Sequence, residues 1–409
     1  MRTVGGSRFR RLWVAAAISY LGDGIGLTAF PLLVASLTRD PILVAGATVA
    51  FDAPWLLFAL PGGAIVDRFD RRLAMVSADS VRAVLVTLLA VLAFTGNPPI
   101  WAIYGVALAL SSAGTIFDPA SEAIVPLVID HDAIPEANSR LQATSWTCNF
   151  LLGPPLGASL FALVAAVPFF LDGASFVASA LIVLTLPGVY RSVRATRSSI
   201  AREVGEGLRW LVAHPVLRYT SALAGMTNLA SNAIIAVFVL FAQDVVGVSD
   251  LGYGLLLSCI GVGGLIGAIV ASRIVAGIGS AGALRLSTCL GAPAAGLTAA
   301  VPYPVVVALA VLAFGFSIAL WNVTHVSLRQ QLVPDELRGR VAASNTLITW
   351  GSLPIGAALG GAVSVLFGLR APMLLAAILL AFATLVAFVK VTPSAIAAAQ
   401  QRVEAPALA

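Results

Sequence analysis

Residues 60–75 read "LPGGAIVDRFDRRLAM". Long apolar runs flank the stretch, and five of the six residues from Asp67 to Arg72 are charged: Asp67, Arg68, Asp70, Arg71 and Arg72. What such a connector does depends on what the runs are. The chain has 409 residues, is 59% hydrophobic and 11% charged, and its mean hydropathy is +0.97. A soluble globule carries about 25% charged residues, so this chain cannot cover a water-facing surface with polar groups. Many of its apolar runs exceed the roughly 18 residues that read as membrane-spanning. They are long and continuous rather than short and alternating, which makes the spans helical and excludes a barrel.

Twelve spans are expected, near 12–37, 42–66, 73–95, 99–125, 141–166, 168–188, 216–243, 251–275, 282–300, 303–328, 341–367 and 370–390. Charge position orients them. Of 24 Lys and Arg residues only Arg39 and Arg370 fall in the odd-numbered connectors, and Arg82 lies inside the third span. The rest lie at the termini or in and beside the even-numbered connectors. The positive-inside bias therefore expects both termini and the 67–72 loop in the cytoplasm of a multi-pass protein. The pI near 9.5 has the same origin and does not point to nucleic acid. The first apolar run is too long for a cleavable signal and has no convincing cleavage site. Cys148, Cys259 and Cys289 all fall inside spans, which suits small core residues rather than disulfides or a metal site.

The densest basic segment, 189–218, separates six spans from six. Within it Ile200, Val204, Leu208 and Leu211 recur at helical spacing opposite Arg202, Glu206 and Arg209, which predicts an amphipathic helix on the cytoplasmic membrane surface. The halves repeat each other. At an offset of 200 residues Glu136, Arg140, Ala143, Pro154 and Ala158 return as Glu336, Arg340, Ala343, Pro354 and Ala358, and "GAIV" at 63–66 returns at 267–270. The expected architecture is all-α, with twelve transmembrane helices in two pseudo-symmetric six-helix bundles at 1–188 and 216–390. A linker at 189–215 and a cytoplasmic tail at 391–409 complete it.

"GAIVDRFDRR" at 63–72 resembles the loop signature of the major facilitator superfamily, Gly-x-x-x-Asp-Arg-x-Gly-Arg-Arg: Gly63, Asp67, Arg68, Arg71 and Arg72 match, and Asp70 replaces the inner Gly. "GEGLRWLVAHPVLR" at 205–218 and "VPDELRGRV" at 333–341 are similar to the branch that holds the enterobactin exporter and the macrolide and multidrug efflux proteins. The resemblance implies alternating access, proton-coupled antiport, a small organic substrate, and a loop that latches the halves on the cytoplasmic side. A solvated basic turn that only fixes topology is the competing reading of the loop. Its counterpart at 271–282 keeps Arg273 but no acid. "LLGPPLGASL" at 151–160 resembles the antiporter signature of span five through Gly153, Pro154 and Gly157, with Ala158 in place of the last Gly.

Charges inside spans are costly and so mark function. Asp23, mid-span in "YLGDGIGL", is the first proton-coupling candidate, because the resemblance places the first span at the central cavity. Asp118 and Glu122 share one face of span four and can relay protons. Asp52 and Asp172 divide between ion pairing and transport, and Asp79 and Arg82, three apart near the latch, are expected to neutralise each other. The second half has no acid inside a span apart from Asp244 at an outer end. Its substrate-cavity candidates are Asn228, Asn232, Trp321, Asn322 and His325, with helix–helix hydrogen bonding as the alternative. No phosphate-cradling loop exists, the only lysine is Lys390, and no nucleophile–base pair suggests an enzyme. The expectation is an exporter in a bacterial cytoplasmic membrane that acts as a monomer among membrane lipids. It needs no cofactor, metal or nucleic acid, and the proton gradient drives it. The alternatives are an uptake carrier or uniporter and, from another class, a transporter-derived receptor or lipid-handling protein.

Overall fold

The computed structural model describes residues 6–66, 69–96, 98–188, 190 and 200–404. Among them no strand occurs. The chain divides into two compact units, Met1–Arg197 with Val248–Ser258, and Ser198–Gly247 with Cys259–Ala409.

Unit 1 contains α1 (Ser7–Leu37), α2 (Pro41–Val66), α3 (Arg71–Phe94), α4 (Ile100–Val128), α5 (Ile134–Trp146), α6 (Gly153–Leu163) and α7 (Val167–Leu184). The fifth span begins earlier than its hydropathy suggests. α5 and α6 are joined by a π-helical turn, Thr147–Leu152, which stands directly before Pro154 and Pro155. Two successive prolines remove two backbone donors, and a wider turn absorbs the mismatch. Pro155 leaves the Leu151 carbonyl without its helical donor, and the Ser258 hydroxyl donates to that oxygen at 3.0 Å.

Unit 2 contains α8 (Ile200–Ala213), α9 (Leu217–Ile235), α10 (Phe238–Leu240), most of α11 (Asp250–Ala300), α12 (Pro304–Leu332), α13 (Arg338–Phe367), α14 (Ala371–Lys390) and α15 (Pro393–Glu404). Spans eight and nine are two helices within α11 that meet at a kink at Gly279, whose φ of 73° other residues rarely adopt. The counterpart of the signature loop is therefore short. Span seven bends by 46° between α9 and the segment Phe238–Val246.

Among the described residues, nine helices are long and apolar enough to cross a membrane by length and composition, or ten with the bent pair counted as one span. The divided fifth span and the two helices within Asp250–Ala300 make this count consistent with twelve. Large apolar side chains stay exposed, among them Phe94, Trp101, Tyr303 and Phe367 at helix ends. Aromatic residues at such ends suit the boundary between lipid tails and headgroups.

Backbone-to-backbone packing holds each unit together. A Cβ on Gly153 would lie 2.5 Å from the Gly24 Cα, and one on Gly157 would strike the Ile25 carbonyl. In unit 2, Gly356 and Gly360 of α13 press in the same way on the Leu229 and Ala233 carbonyls of α9. The first and fifth helices of each half thus share one contact, as a duplicated bundle requires. Gly263 and Gly267 of α11 lie against the Leu312 and Phe316 carbonyls of α12, so "GVGGLIG" is a packing face.

The amphipathic helix is where its periodicity places it, and one face of it packs on a neighbouring helix. α8 docks on α13: Gly207 sits over the Arg340 carbonyl, Ser344 Oγ donates to the Val204 carbonyl at 2.9 Å, and Leu211 is buried. Leu208 and Val212 remain exposed. The tail is also not free chain. α15 buries Ile396 and Ala399 in the core cluster that holds Leu211, Trp321, Leu328 and Val341.

Gly157→Ala is expected to lower stability by about 1–3 kcal/mol, because the added methyl must displace helix backbone. Gly105→Ala, with nothing within 4 Å of its Cβ, should be neutral or slightly stabilising. Thermal unfolding of the two purified proteins in detergent checks the contrast.

Candidate proton-coupling site

The signature stretch explains how α3 is anchored. Asp70 caps α3, its Oδ1 accepting from the Arg72 and Leu73 amides at 3.0 and 3.3 Å, and its Oδ2 accepts from the Tyr190 amide at 3.0 Å. The Arg71 amide donates to the Tyr190 carbonyl at 3.1 Å. Arg72 Nη1 donates to the Leu186 carbonyl at 2.7 Å, and Arg11 Nη1 to the Thr185 carbonyl at 2.7 Å. Two cations therefore meet the C-terminus of α7, where the free carbonyls carry partial negative charge. Arg71 Nη1 reaches the Ala123 carbonyl of α4 at 2.8 Å. The residue that departs from the family signature, Asp70, is thus what binds α3 to the chain after α7. An acid immediately before a helix start was the available signal for it. Asp67 and Arg68 lie outside the described residues, and Gly63 falls in α2.

Three turns along α3, the chain buries charge. Arg82 is 6% exposed, and its guanidinium carbon lies 5.0 Å from the Phe117 ring centroid and 5.3 Å from that of Phe176. Gly114 makes room for it: a Cβ there would meet Arg82 Nη2 at 2.7 Å. Asp79 does not simply neutralise it. Their nearest approach is 3.9 Å, and neither Asp79 oxygen nor Arg82 Nη1 has a hydrogen-bond partner. Instead four carboxylates act on the guanidinium: Asp23 of α1, Asp118 of α4, Asp79 of α3 and Asp172 of α7. Asp79 and Asp172 are buried, and Asp23 and Asp118 half-buried. Tyr20, one turn before Asp23, interacts with Asp118, Asp23 and Glu122. Glu122 is exposed, and Asp52 is half-buried on α2.

Helix α1 fits into this site through its glycines. Gly24 meets the π-turn at the Cys148 carbonyl and Gly153 behind it, while Gly22 and Gly26 face the Asp172 carboxylate. The Gly153–Pro154–Gly157 motif therefore packs directly behind the turn of α1 that carries Asp23. Phe117, Phe176 and Tyr20 join a site that the sequence outlined through Asp23 and Asp118, with Asp79, Arg82 and Asp172 weighed between ion pairing and transport. Asp172 stands near a helix start and looks interfacial in sequence, and the aromatics look like ordinary core.

Unit 2 is different. Asn228 Nδ2 donates to the Thr349 carbonyl at 2.9 Å and Asn232 Nδ2 to the Leu353 carbonyl at 2.8 Å, so both amides tie α9 to α13. Trp321 and His325 turn together into the core with ring centroids 6.2 Å apart, while Asn322 is exposed on another face of α12. The expected cluster is therefore split. Trp321 Nε1 and His325 Nε2 are buried without a hydrogen-bond partner. Among the described residues no group of His, Cys, Asp and Glu suits a metal ion.

Long apolar helices with charge buried among them define a polytopic membrane protein, and the family it matches is one of transporters. Residues 4–409 match the transmembrane secretion effector family, and the chain belongs to that family of the major facilitator superfamily. It is 24% identical to macrolide efflux protein A of Streptococcus pyogenes over 368 residues, 85% of this chain and 87% of that one. It is 27% identical to the multidrug efflux pump Tap of Mycolicibacterium fortuitum, across 88% and 90% of the two chains. The enterobactin exporter EntS of Salmonella typhi is 24% identical, across 86% and 84%. Among solved structures the nucleoside transporter NupG has the same fold, with a TM-score of 0.74 at 14% identity over 94% of this chain and 99% of that one. So does a bacterial homologue of the iron transporter ferroportin, with a TM-score of 0.71 at 17% identity over 93% and 100%.

Two substitutions test the geometry. Asp70→Ala should cost about 1–2 kcal/mol through the lost cap, with Asp70→Asn milder, as read by thermal unfolding. Arg82→Met removes the one cation and should destabilise the protein by about 3–5 kcal/mol where the acids are ionised. That deficit should shrink as pH falls, because protonation removes the unmatched negative charge. Unfolding midpoints of the variant and wild type across a pH series check the sign.

Proposed function

We propose that the chain is a proton-driven exporter of a small amphipathic organic compound, of the kind a drug, antibiotic or siderophore represents. It works as a monomer in a bacterial cytoplasmic membrane with both termini inside. One observation carries the coupling: four carboxylates, two of them buried, lie within electrostatic reach of a single guanidinium inside unit 1. One cation can match one of them, and an unmatched buried charge is strongly disfavoured. The excess of acid over base favours proton binding among them. That is the property a proton-coupled carrier requires. The export direction is supported by the names of the relatives, macrolide efflux protein, multidrug efflux pump and enterobactin exporter, and by the helix-five motif packed behind Asp23.

In this mechanism a proton on Asp23 favours one state of an alternating-access cycle, and its release favours the other. Asp118, on the neighbouring helix, shares the exchange. The signature loop with Asp67, Arg68, Arg71 and Arg72 governs switching and makes no contact with cargo. Unit 2 supplies neutral surface to the substrate, with Asn322 available on an exposed face.

Asp23→Asn is expected to abolish proton-driven efflux while leaving folding intact. The assay is energy-dependent efflux of erythromycin and of ethidium from cells lacking their own pumps, with and without a protonophore. Full gradient-dependent efflux by the variant would remove Asp23 from the mechanism. Wild-type efflux that survives the protonophore would sink the coupling itself.

A further inference from the structure

Asp23 is near the middle of α1, 16 residues from Ser7 and 14 from Leu37. Asp172, 5 residues after the start of α7, packs its carboxylate against Gly22 and Gly26 of α1 and so lies level with Asp23. Asp118 of α4 lies within electrostatic reach of the same Arg82.

Little around Asp172 offsets its charge: besides the shared Arg82, only the neighbouring Ser175 hydroxyl acts to stabilise the ionised carboxylate. It is 1% exposed, and its Oδ1 has no hydrogen-bond partner. The charged or titratable groups that act on it are Asp23 from α1, and Arg82 and Asp79 from α3. α6, which also packs on α7, contributes no titratable residue over 153–163. Two of those three neighbours repel an ionised Asp172, and the one cation is shared with three other acids.

The carboxylate also lies where helix packing can sense its charge. It lies with the Ser175 hydroxyl in the notch that Gly22 and Gly26 open on α1: a Cβ on Gly22 would meet Ser175 Oγ first and lie 2.6 Å from Asp172 Oδ1, and one on Gly26 would lie 3.1 Å from Oδ2. Neutral, the group packs as a small polar side chain against α1 backbone. Ionised, it brings an uncompensated charge into that contact, one turn from Asp23.

From this juxtaposition we infer that Asp172 is a second proton-binding residue of the coupling site, packed against the turn of α1 that carries Asp23, and that its proton controls how α1 seats on α7. The inference rests on the proposed proton coupling. A proton on Asp23 would exchange with Asp172 beside it. No covalent step is involved: the carboxylate oxygen gains the proton that Asp23 releases, or the reverse.

The test uses the full chain, purified and reconstituted in phosphatidylethanolamine–phosphatidylglycerol vesicles. Infrared spectra across a pH series read protonated carboxyl groups directly, without substrate. Asp172→Asn should remove one titrating component that Asp23→Asn leaves in place. The same vesicles should lose erythromycin transport driven by a proton gradient yet keep exchange of labelled for unlabelled erythromycin without a gradient. Unchanged carboxyl absorption, or gradient-driven transport at the wild-type rate, would overturn the inference. Where Asp172→Asn does not fold, Gly26→Ala serves, since its methyl presses on the carboxylate. A shifted midpoint of the same component supports the inference, and an unmoved one overturns it. Failure of the coupling proposal is recognised separately, in wild-type protein alone, as transport indifferent to a protonophore.

Discussion

The interaction on which unit 1 depends is that of one buried guanidinium with an excess of carboxylate. Arg82 is held between two phenylalanine rings, over a glycine that leaves space for it, where charge cannot be relieved by solvent. At an effective dielectric near that of a protein interior, each unmatched carboxylate costs several kcal/mol unless it is protonated. The aromatic faces stabilise the cation but offer nothing to the acids. The surrounding helices fix the imbalance in place: glycines bring α1 against α6 and α7, the π-turn brings the proline pair into register, and Asp70 ties down the start of α3. A rigid frame around a mismatched charge set makes proton occupancy a structural variable.

The two halves show what duplication kept and what it changed. A glycine of the fifth helix on a carbonyl of the first recurs in both. So does an arginine on the C-terminal carbonyls of the sixth, Arg72 on Leu186 and Arg285 Nη2 on Phe388 at 3.0 Å. The repeated Glu–Arg pair does not recur in function. Glu136 and Arg140 bond within one helix at 2.8 Å, whereas Arg340 leaves Glu336 and meets Glu206 of α8 at 2.9 Å. That exchange holds the linker helix on α13. Both pairs are largely solvent-exposed, so each adds little stability by itself, and the close seat of Gly207 is the stronger part of the contact.

Much of this was legible in the chain and some was not, for physical reasons. Hydropathy and charge asymmetry report the solvent each segment faces, so the helical membrane class, the order of the spans and the amphipathic helix could be read directly. Asp23 stood out because a lone acid at mid-span has no local explanation. Asp79 and Arg82, three residues apart, read as an ion pair, and they approach to 3.9 Å; only tertiary packing shows that acids of three further helices act on the same guanidinium. Asp70 read as a gap in a signature, because a motif records which residue is missing and not what the replacement bonds. The split of Trp321 and His325 from Asn322 is a matter of which helix face meets the core, and an apolar sequence on all sides leaves that open.

The asymmetry between the units sets a condition on the proposed mechanism. A ligand shifts a conformational equilibrium only through a difference in its interaction with the two states. Among the described residues of unit 2 no acid or arginine is buried, and the Asn228 and Asn232 amides are fixed on α13 backbone, so apart from His325 a proton finds little there to distinguish one state from another. In unit 1 each proton changes the match between Arg82 and its carboxylates. The helices that carry those carboxylates, α1, α3, α4 and α7, are joined by close glycine contacts and by the arginines at the end of α7. A change in charge at one of them is therefore transmitted as a change in how the others pack, which is the difference in interaction that coupling needs.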